Sequence, residues 1–338
     1  MSKWLVVIAV LFIVACHSIG EWTDEKVTVR TPAGFPPIVY PKDNEPTKLR
    51  VQLGRILFYD TRLSTDHSTN CGTCHILSVA FTDGKETSSG MAGFPGMRNA
   101  PTLANIAYMP RLMMEGGVPT LETQALAPLH DTLEMGFNMM HAVHELNKDE
   151  LLKSMARAAY GRDTIDPYVV TRALAAFQRT FLSGDSHYDR YRQGQLNLMT
   201  EQEVRGMNLF FSEKTKCSNC HSGIFFTDFD YHNIGLETES VDHGKERASH
   251  LAADIGKFKT PTLRNIALTA PYMHDGRFSS LEEVIAFYNN GGVPHDNKDE
   301  RIQPLQLSTE EQKDLIAFLG ELTDWNFVQN QQLLPLVK

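Results

Sequence analysis

Two pentapeptides constrain this chain more than anything else in it: CGTCH at 71–75 and CSNCH at 217–221. Each is C-x-x-C followed at once by histidine, the c-type haem attachment pattern. The two thiols add across the haem vinyl groups, and the neighbouring histidine reaches the iron from one side. A zinc ribbon also pairs C-x-x-C units, but roughly 15–20 residues apart. Here the pairs lie 146 residues apart, which argues against one shared metal. Local disulfides of a redox protein would not need a histidine after both pairs. Cys71, Cys74 and His75 are therefore expected to hold one haem, and Cys217, Cys220 and His221 a second.

The fifth cysteine belongs to a different device. Lys3 precedes an apolar run from Leu5 to Ala15, too short to span a bilayer but right for a signal peptide. The run ends in IVAC, the form of a bacterial lipoprotein signal. That form implies a signal over 1–15, cleavage before Cys16 and lipid on its thiol. The alternative is an ordinary secretory signal with a leftover cysteine. Either way the mature chain is exported to the periplasmic side of a bacterial membrane, where covalent attachment keeps a haem from being lost. The whole chain, 42% hydrophobic and 22% charged, has the composition of a soluble globular protein, and 338 residues are enough for two domains. A net charge of −9 argues against nucleic acid or an anionic membrane as partner, and leaves membrane contact to the lipid anchor.

The chain also repeats itself. APTLANIA at 100–107 answers TPTLRNIA at 260–267, an offset of 160 that also aligns Leu121 with Leu281 and Pro128 with Tyr288. LGRILFYD (53–60) answers RGMNLFFS (205–212) ahead of the two haem motifs. Two lobes follow, an N-terminal haem domain over 47–190 and a C-terminal one over 191–338. Thr200 with Glu203, and Ser308 with Glu311, have capping-box spacing before apolar periodic runs. Residues 166–184 read as an amphipathic helix, 84–101 and 289–296 as loops, and 31–46, within the 16–46 linker, as an extended tether. Strand alternation is scarce. The expected fold is mainly α, with two cytochrome c-like haem lobes related by an internal repeat.

With RNAPTLAN, LEMG, TPTLRNIA and YMHDGRF beside the two haem motifs, the chain resembles the bacterial dihaem cytochrome c peroxidases and their MauG relatives from about 48 to 322. A haem peroxidase needs a proximal ligand, an open distal position for hydrogen peroxide, and an acid/base that moves a proton between the peroxide oxygens. The resemblance implies that peroxide binds at the N-terminal haem and that Glu134 of LEMG is that acid/base. Desolvation beside a haem would raise its pKa. Gln124 matches a glutamine that organises the space between the haems. Tyr288 matches the sixth ligand of the C-terminal haem, tyrosine in the MauG branch and methionine elsewhere. Pro128, which cannot ligate, then marks the open pocket. Asn99, through its side chain, and Thr269 and Pro271, through backbone carbonyls, match a calcium site between the lobes.

Two departures stand out. Met91 occupies the place of a histidine that blocks the first iron in donor-fed peroxidases, so it is either a weak ligand or a sign of an open iron. Met114 replaces the inter-haem tryptophan, and the only tryptophans are Trp4, Trp22 and Trp325. Eight of thirteen methionines fall within 91–140, fitting soft packing around a flat cofactor or oxidisable relays. The stretch 135–144 could tempt one to a copper site, although helix packing explains it.

The implied activity is a hydrogen-peroxide-dependent dihaem peroxidase whose C-terminal haem exchanges electrons with an external donor, as in MauG with a protein side chain. The alternatives are a peroxide-detoxifying enzyme fed by a small cytochrome c or a cupredoxin, and a non-catalytic dihaem electron carrier.

Overall fold

The same helix crossing is built twice. In the computed structural model, which describes residues 23–136 and 139–336, the helix Lys48–Phe58 packs across Pro167–Gln178, and Glu201–Phe210 packs across Thr309–Gly320. Glycine makes both crossings close. A Cβ at Gly54 would collide with the Ala173 carbonyl oxygen, and one at Gly206 with that of Asp314. The predicted capping boxes start the second pair: Thr200 and Ser308 accept from the amides of Glu203 and Glu311, whose carboxylates bond back.

Each crossing closes over a buried phenylalanine cluster. Phe58 meets Phe81 and Phe177 in the N-terminal lobe; Phe210 meets Phe226 and Phe318 in the C-terminal lobe. All six are 2% exposed or less, so each contributes most of the roughly 1.5–3 kcal/mol available to a fully buried apolar side chain. The only strands among the described residues are the two-residue pair Tyr231–His232 and Phe258–Lys259, so the fold is mainly helical.

Three segments depart from the sequence reading. The 166–184 helix stops at Gln178, because Phe181 leaves the helical path to stack on Phe81 at 4.1 Å and Ser183 pairs with the Asn105 side chain. The 31–46 tether is extended but packed. Phe35 lies edge-on between Tyr108 and Phe225, and Asn44 donates to Glu122 at 2.9 Å. The end of the chain crosses back onto the N-terminal lobe, where Phe327, Val328 and Leu333 join its core and the Tyr59 hydroxyl donates to the Leu333 carbonyl.

A polar seam joins the lobes. Arg98 pairs with Glu115 of its own lobe and, at 2.6 and 2.9 Å, with Asp242 of the other. The Asn99 amide donates to the His274 carbonyl, and the Lys259 amide to that of Met114. No helix among the described residues is long and apolar enough to cross a membrane. The signal segment and Cys16 lie outside the described residues.

Candidate active site

Both histidines of the haem motifs are aimed by the backbone. His75 Nδ1 lies 2.7 Å from the Phe81 carbonyl, and His221 Nδ1 lies 3.1 Å from that of Phe226. A carbonyl can only accept, so Nδ1 carries the proton and Nε2 keeps its lone pair for a metal. Burial holds both imidazoles below the ordinary histidine pKa, which favours that neutral, ligating form. The carbonyls owe their direction to strained turns: Phe81 and Phe226 sit in the left-handed region at φ 62° and 52°. A bulky residue stays there only where its surroundings over-determine it.

Those surroundings explain the repeated PTL-x-N motif. The Thr102 hydroxyl donates to the Ala80 carbonyl at 2.5 Å, and the Thr262 hydroxyl to the Phe225 carbonyl at 2.6 Å. Each threonine thus pins the residue just before the phenylalanine that orients a histidine. The C-terminal lobe adds a clamp. Arg264 is 1% exposed, donates from Nε to the Ile224 carbonyl at 2.8 Å and forks onto Asp189 at 2.8 and 2.9 Å. Ala104 stands in its place in the first lobe. Sequence reasoning missed this role, though the one charged difference between the two octapeptides pointed to it.

The four thiols are free and partly buried. Burial pushes Cys71 up to about 12 and raises Cys74 and Cys217 as well, which keeps them protonated near neutral pH. With a neutral imidazole whose Nε2 keeps its lone pair beside each pair of thiols, the donor set fits two covalently attached haems.

The repeat aligns unlike residues in the two lobes, Pro128 and Tyr288. Pro128 lacks the amide that would bond the Gln124 carbonyl four residues back, and the helix breaks there into Leu121–Gln124 and Leu126–His130. The matching helix of the second lobe, Leu281–Asn290, runs unbroken and carries Tyr288. Burial pushes the Tyr288 phenol well above its ordinary value, and the Cys217 and Cys220 thiols add to the shift. It therefore faces the second haem motif, and its hydroxyl makes no hydrogen bond among the described residues.

Glu134 answers it in the first lobe. Its carboxyl keeps a face open to solvent, yet burial, with the like charge of Asp131 added, holds it above the usual carboxylate range. Its charge is felt at the Cys74 thiol. The loop around Met91 fixes its backbone: the Met91 amide donates to the Glu134 carbonyl at 2.7 Å, and Gly90 lies tight against Leu133 and Glu134. The Met91 thioether packs against Gly136, where a Cβ would strike its sulfur. Gln124 is partly buried at the end of its short helix, without a side-chain bond among the described residues.

Asn99 is buried at the seam. Its side-chain nitrogen donates to the Lys85 carbonyl at 2.7 Å, leaving Oδ1 as the end available to a cation. The Thr269 and Pro271 carbonyls accept no hydrogen bond among the described residues. One cluster of metal-ligand types was not foreseen, Cys220 with Asp228 and His232.

The family model for di-haem cytochrome c peroxidase matches residues 48–197. The methylamine utilization protein MauG of Methylorubrum extorquens is 36% identical over 299 residues, 88% of this chain and 84% of its own. The cytochrome-c peroxidase IdrP1 of Pseudomonas sp. is 34% identical, covering 86% of this chain and 85% of its own. Among solved structures, a MauG-like protein associated with microbial copper homeostasis superposes with a TM-score of 0.86 at 35% identity, covering 91% of this chain and 98% of that one. With both histidines aimed, four thiols in place and these relatives matched along most of their length, the chain belongs to the di-haem cytochrome c peroxidase and MauG family.

Proposed function

We propose that this peroxidase meets hydrogen peroxide at its N-terminal haem and draws electrons through its C-terminal haem from an external protein, in the MauG-like manner. The observation that carries this is the unlike pair at one repeat position. Pro128 offers the first iron no ligand, whereas Tyr288 offers the second a phenol oxygen. Bound at the two motifs, the haems supply the one-electron chemistry and the open position for peroxide.

The chain's own residues do the rest. His75 and His221 are held by the carbonyls of Phe81 and Phe226 so that one nitrogen of each stays free. Glu134, with its pKa held up, takes the proton from one peroxide oxygen and returns it to the other near neutral pH. Gln124 is assigned to organising the space between the haems, as its match in the family implies. The Met91 thioether packs against Gly136, and on this reading the first iron is open. Asn99 Oδ1 with the carbonyls of Thr269 and Pro271 would hold calcium in a hard-oxygen shell across the seam. The protein acts on the periplasmic side, tethered by lipid on Cys16, and its haem domains follow the two halves of the repeat.

A ferric spectrum of the isolated protein with a peroxide titration tests the reading. One high-spin and one low-spin haem, reacting without prior reduction, is the expected result. Reaction only after half reduction would favour the second reading, a detoxifying enzyme fed by a small cytochrome c or a cupredoxin. IdrP1, a relative named for cytochrome c peroxidase activity, supports that reading. Two low-spin haems inert to peroxide would leave only an electron carrier.

A further inference from the structure

The tripeptide Phe-Thr-Asp occurs twice, at 81–83 and 226–228, and in both lobes its phenylalanine carbonyl receives the proximal histidine. Each copy therefore puts a carboxylate two residues beyond the group that orients an iron ligand. Asp83 and Asp228 thus stand two residues past the carbonyls that hold His75 Nδ1 at 2.7 Å and His221 Nδ1 at 3.1 Å.

The two carboxylates are treated differently. Asp228 Oδ2 lies 2.8 Å from His232 Nε2. His232 Nδ1 lies 2.8 Å from Asp299 Oδ2, which also takes Arg301 Nη2 at 2.6 Å; Arg301 Nη2 is itself 2.9 Å from Nδ1. An imidazole with a carboxylate on each nitrogen satisfies both by donating from both, as the imidazolium, and Arg301 Nη2 then donates to Asp299 Oδ2 and not to Nδ1, which has no lone pair left. The cluster then holds two negative and two positive groups, and its charge cancels. Asp83 has no such company. It is 9% exposed, its Oδ1 accepts only the Lys85 amide at 3.1 Å, and its Oδ2 has no hydrogen-bond partner. It joins no ion pair among the described residues. Four residues on, where the second lobe has His232, the first has Thr87.

We propose that this pair sets the two haems apart electrostatically: the bare Asp83 lowers the reduction potential of the N-terminal haem, and the His232–Asp299–Arg301 cluster cancels the matching charge of Asp228 on the His221 side of the C-terminal lobe. A buried negative charge near iron favours the ferric and higher states, and little solvent intervenes to screen it. The N-terminal haem is thereby stabilised in its oxidised forms, and the C-terminal haem is spared the same bias. The inference rests on both haems being attached, not on which one meets peroxide.

The test is a spectroelectrochemical titration of the haem-loaded protein at one fixed pH, with the haems distinguished by their ferric EPR signals. Asp83→Asn, nearly isosteric, should raise the midpoint potential of the N-terminal haem and leave the other in place. His232→Gln should lower that of the C-terminal haem, because Asp228 and Asp299 then face Arg301 alone. An unmoved N-terminal potential in Asp83→Asn, or equal shifts of both haems, would overturn the inference. If Asp83→Asn does not fold, an unmoved C-terminal potential in His232→Gln overturns it on its own. Fewer than two haems in the unmodified protein would instead be a failure of the dihaem reading itself.

Discussion

Arg264→Met should be among the most costly single changes outside the haem motifs. The guanidinium is fully buried and supplies both fork bonds to Asp189 and the Nε bond to the Ile224 carbonyl. Methionine fills similar apolar space but removes all three donors. Asp189, which is 9% exposed, would keep only the Ser186 amide and hydroxyl at 3.0 and 2.8 Å. Burial works to raise the Asp189 carboxyl, and at present Arg264 overrides it and holds the value below the usual range. Breaking such a buried pair from one side costs about 3–5 kcal/mol, a large part of the roughly 5–15 kcal/mol that stabilises a domain. Arg264→Met with Asp189→Asn leaves no buried charge behind and should recover most of that loss. Urea titrations of the haem-loaded proteins, followed by Soret absorbance, supply the comparison. The deficit of the single variant should also shrink on acidification, because protonating an unpaired Asp189 removes the cost of burying its charge. A single variant within about 1 kcal/mol of the parent would refute the argument. So would a double variant no better than the single one.

Other outcomes follow from the same geometry. Glu134→Gln should slow the reaction with peroxide by about 10²–10⁴ while both haems stay attached, and an unchanged rate in stopped flow would remove Glu134 from proton transfer. Tyr288→Met should raise the C-terminal haem's potential, since a thioether favours the reduced iron where a phenolate does not; a redox titration decides it. At the seam, burial would raise the Asp242 carboxyl, but the Arg98 guanidinium and the Gly244 amide pull it down to about 2, from an ordinary 3.8. The depressed value means stability fully present above about 4 and lost as pH falls toward 2, worth about 2.5 kcal/mol. Arg98→Met should therefore be weaker than the parent at pH 7 and nearly equal to it near pH 2, and a constant gap in urea midpoints would contradict the assignment. Elemental analysis should find one calcium per chain, lost on chelation and weakened in Asn99→Ala.

What could be read from the chain in advance was whatever is written as spacing. C-x-x-C-H carries its own chemistry, because thiols and imidazole must lie within one turn of each other. The 160-residue offset sets Tyr288 against Pro128 in the sequence alone. Contacts made across the repeat were not legible in this way. Thr102, Thr262 and Arg264 were visible only as letters of a motif, since their partners lie about 22 to 75 positions away and no local period links them. The Phe35 wedge and the return of Phe327 and Leu333 were hidden for the same reason. An apolar residue in an irregular segment says that it will be buried, not by which lobe.

The two Phe-Thr-Asp copies show how far symmetry alone can mislead. Judged as a repeat, they promise equal surroundings for two equal haems. Within four residues of each aspartate the lobes diverge: one supplies His232, backed by Asp299 and Arg301, and the other Thr87 and an open carboxylate oxygen. The same divergence recurs on the far side, where Pro128 breaks the helix that Tyr288 leaves whole. A duplicated fold becomes a directional one by a few substitutions placed against the duplicated ligands. Proximal charge and distal ligand then act in one sense. On the proposed reading, the first lobe would leave its iron position open and keep Asp83 bare, and the second would offer Tyr288 as a ligand and cancel the charge of Asp228. An enzyme in which one haem takes oxidant and the other passes electrons needs that inequality more than it needs either lobe alone.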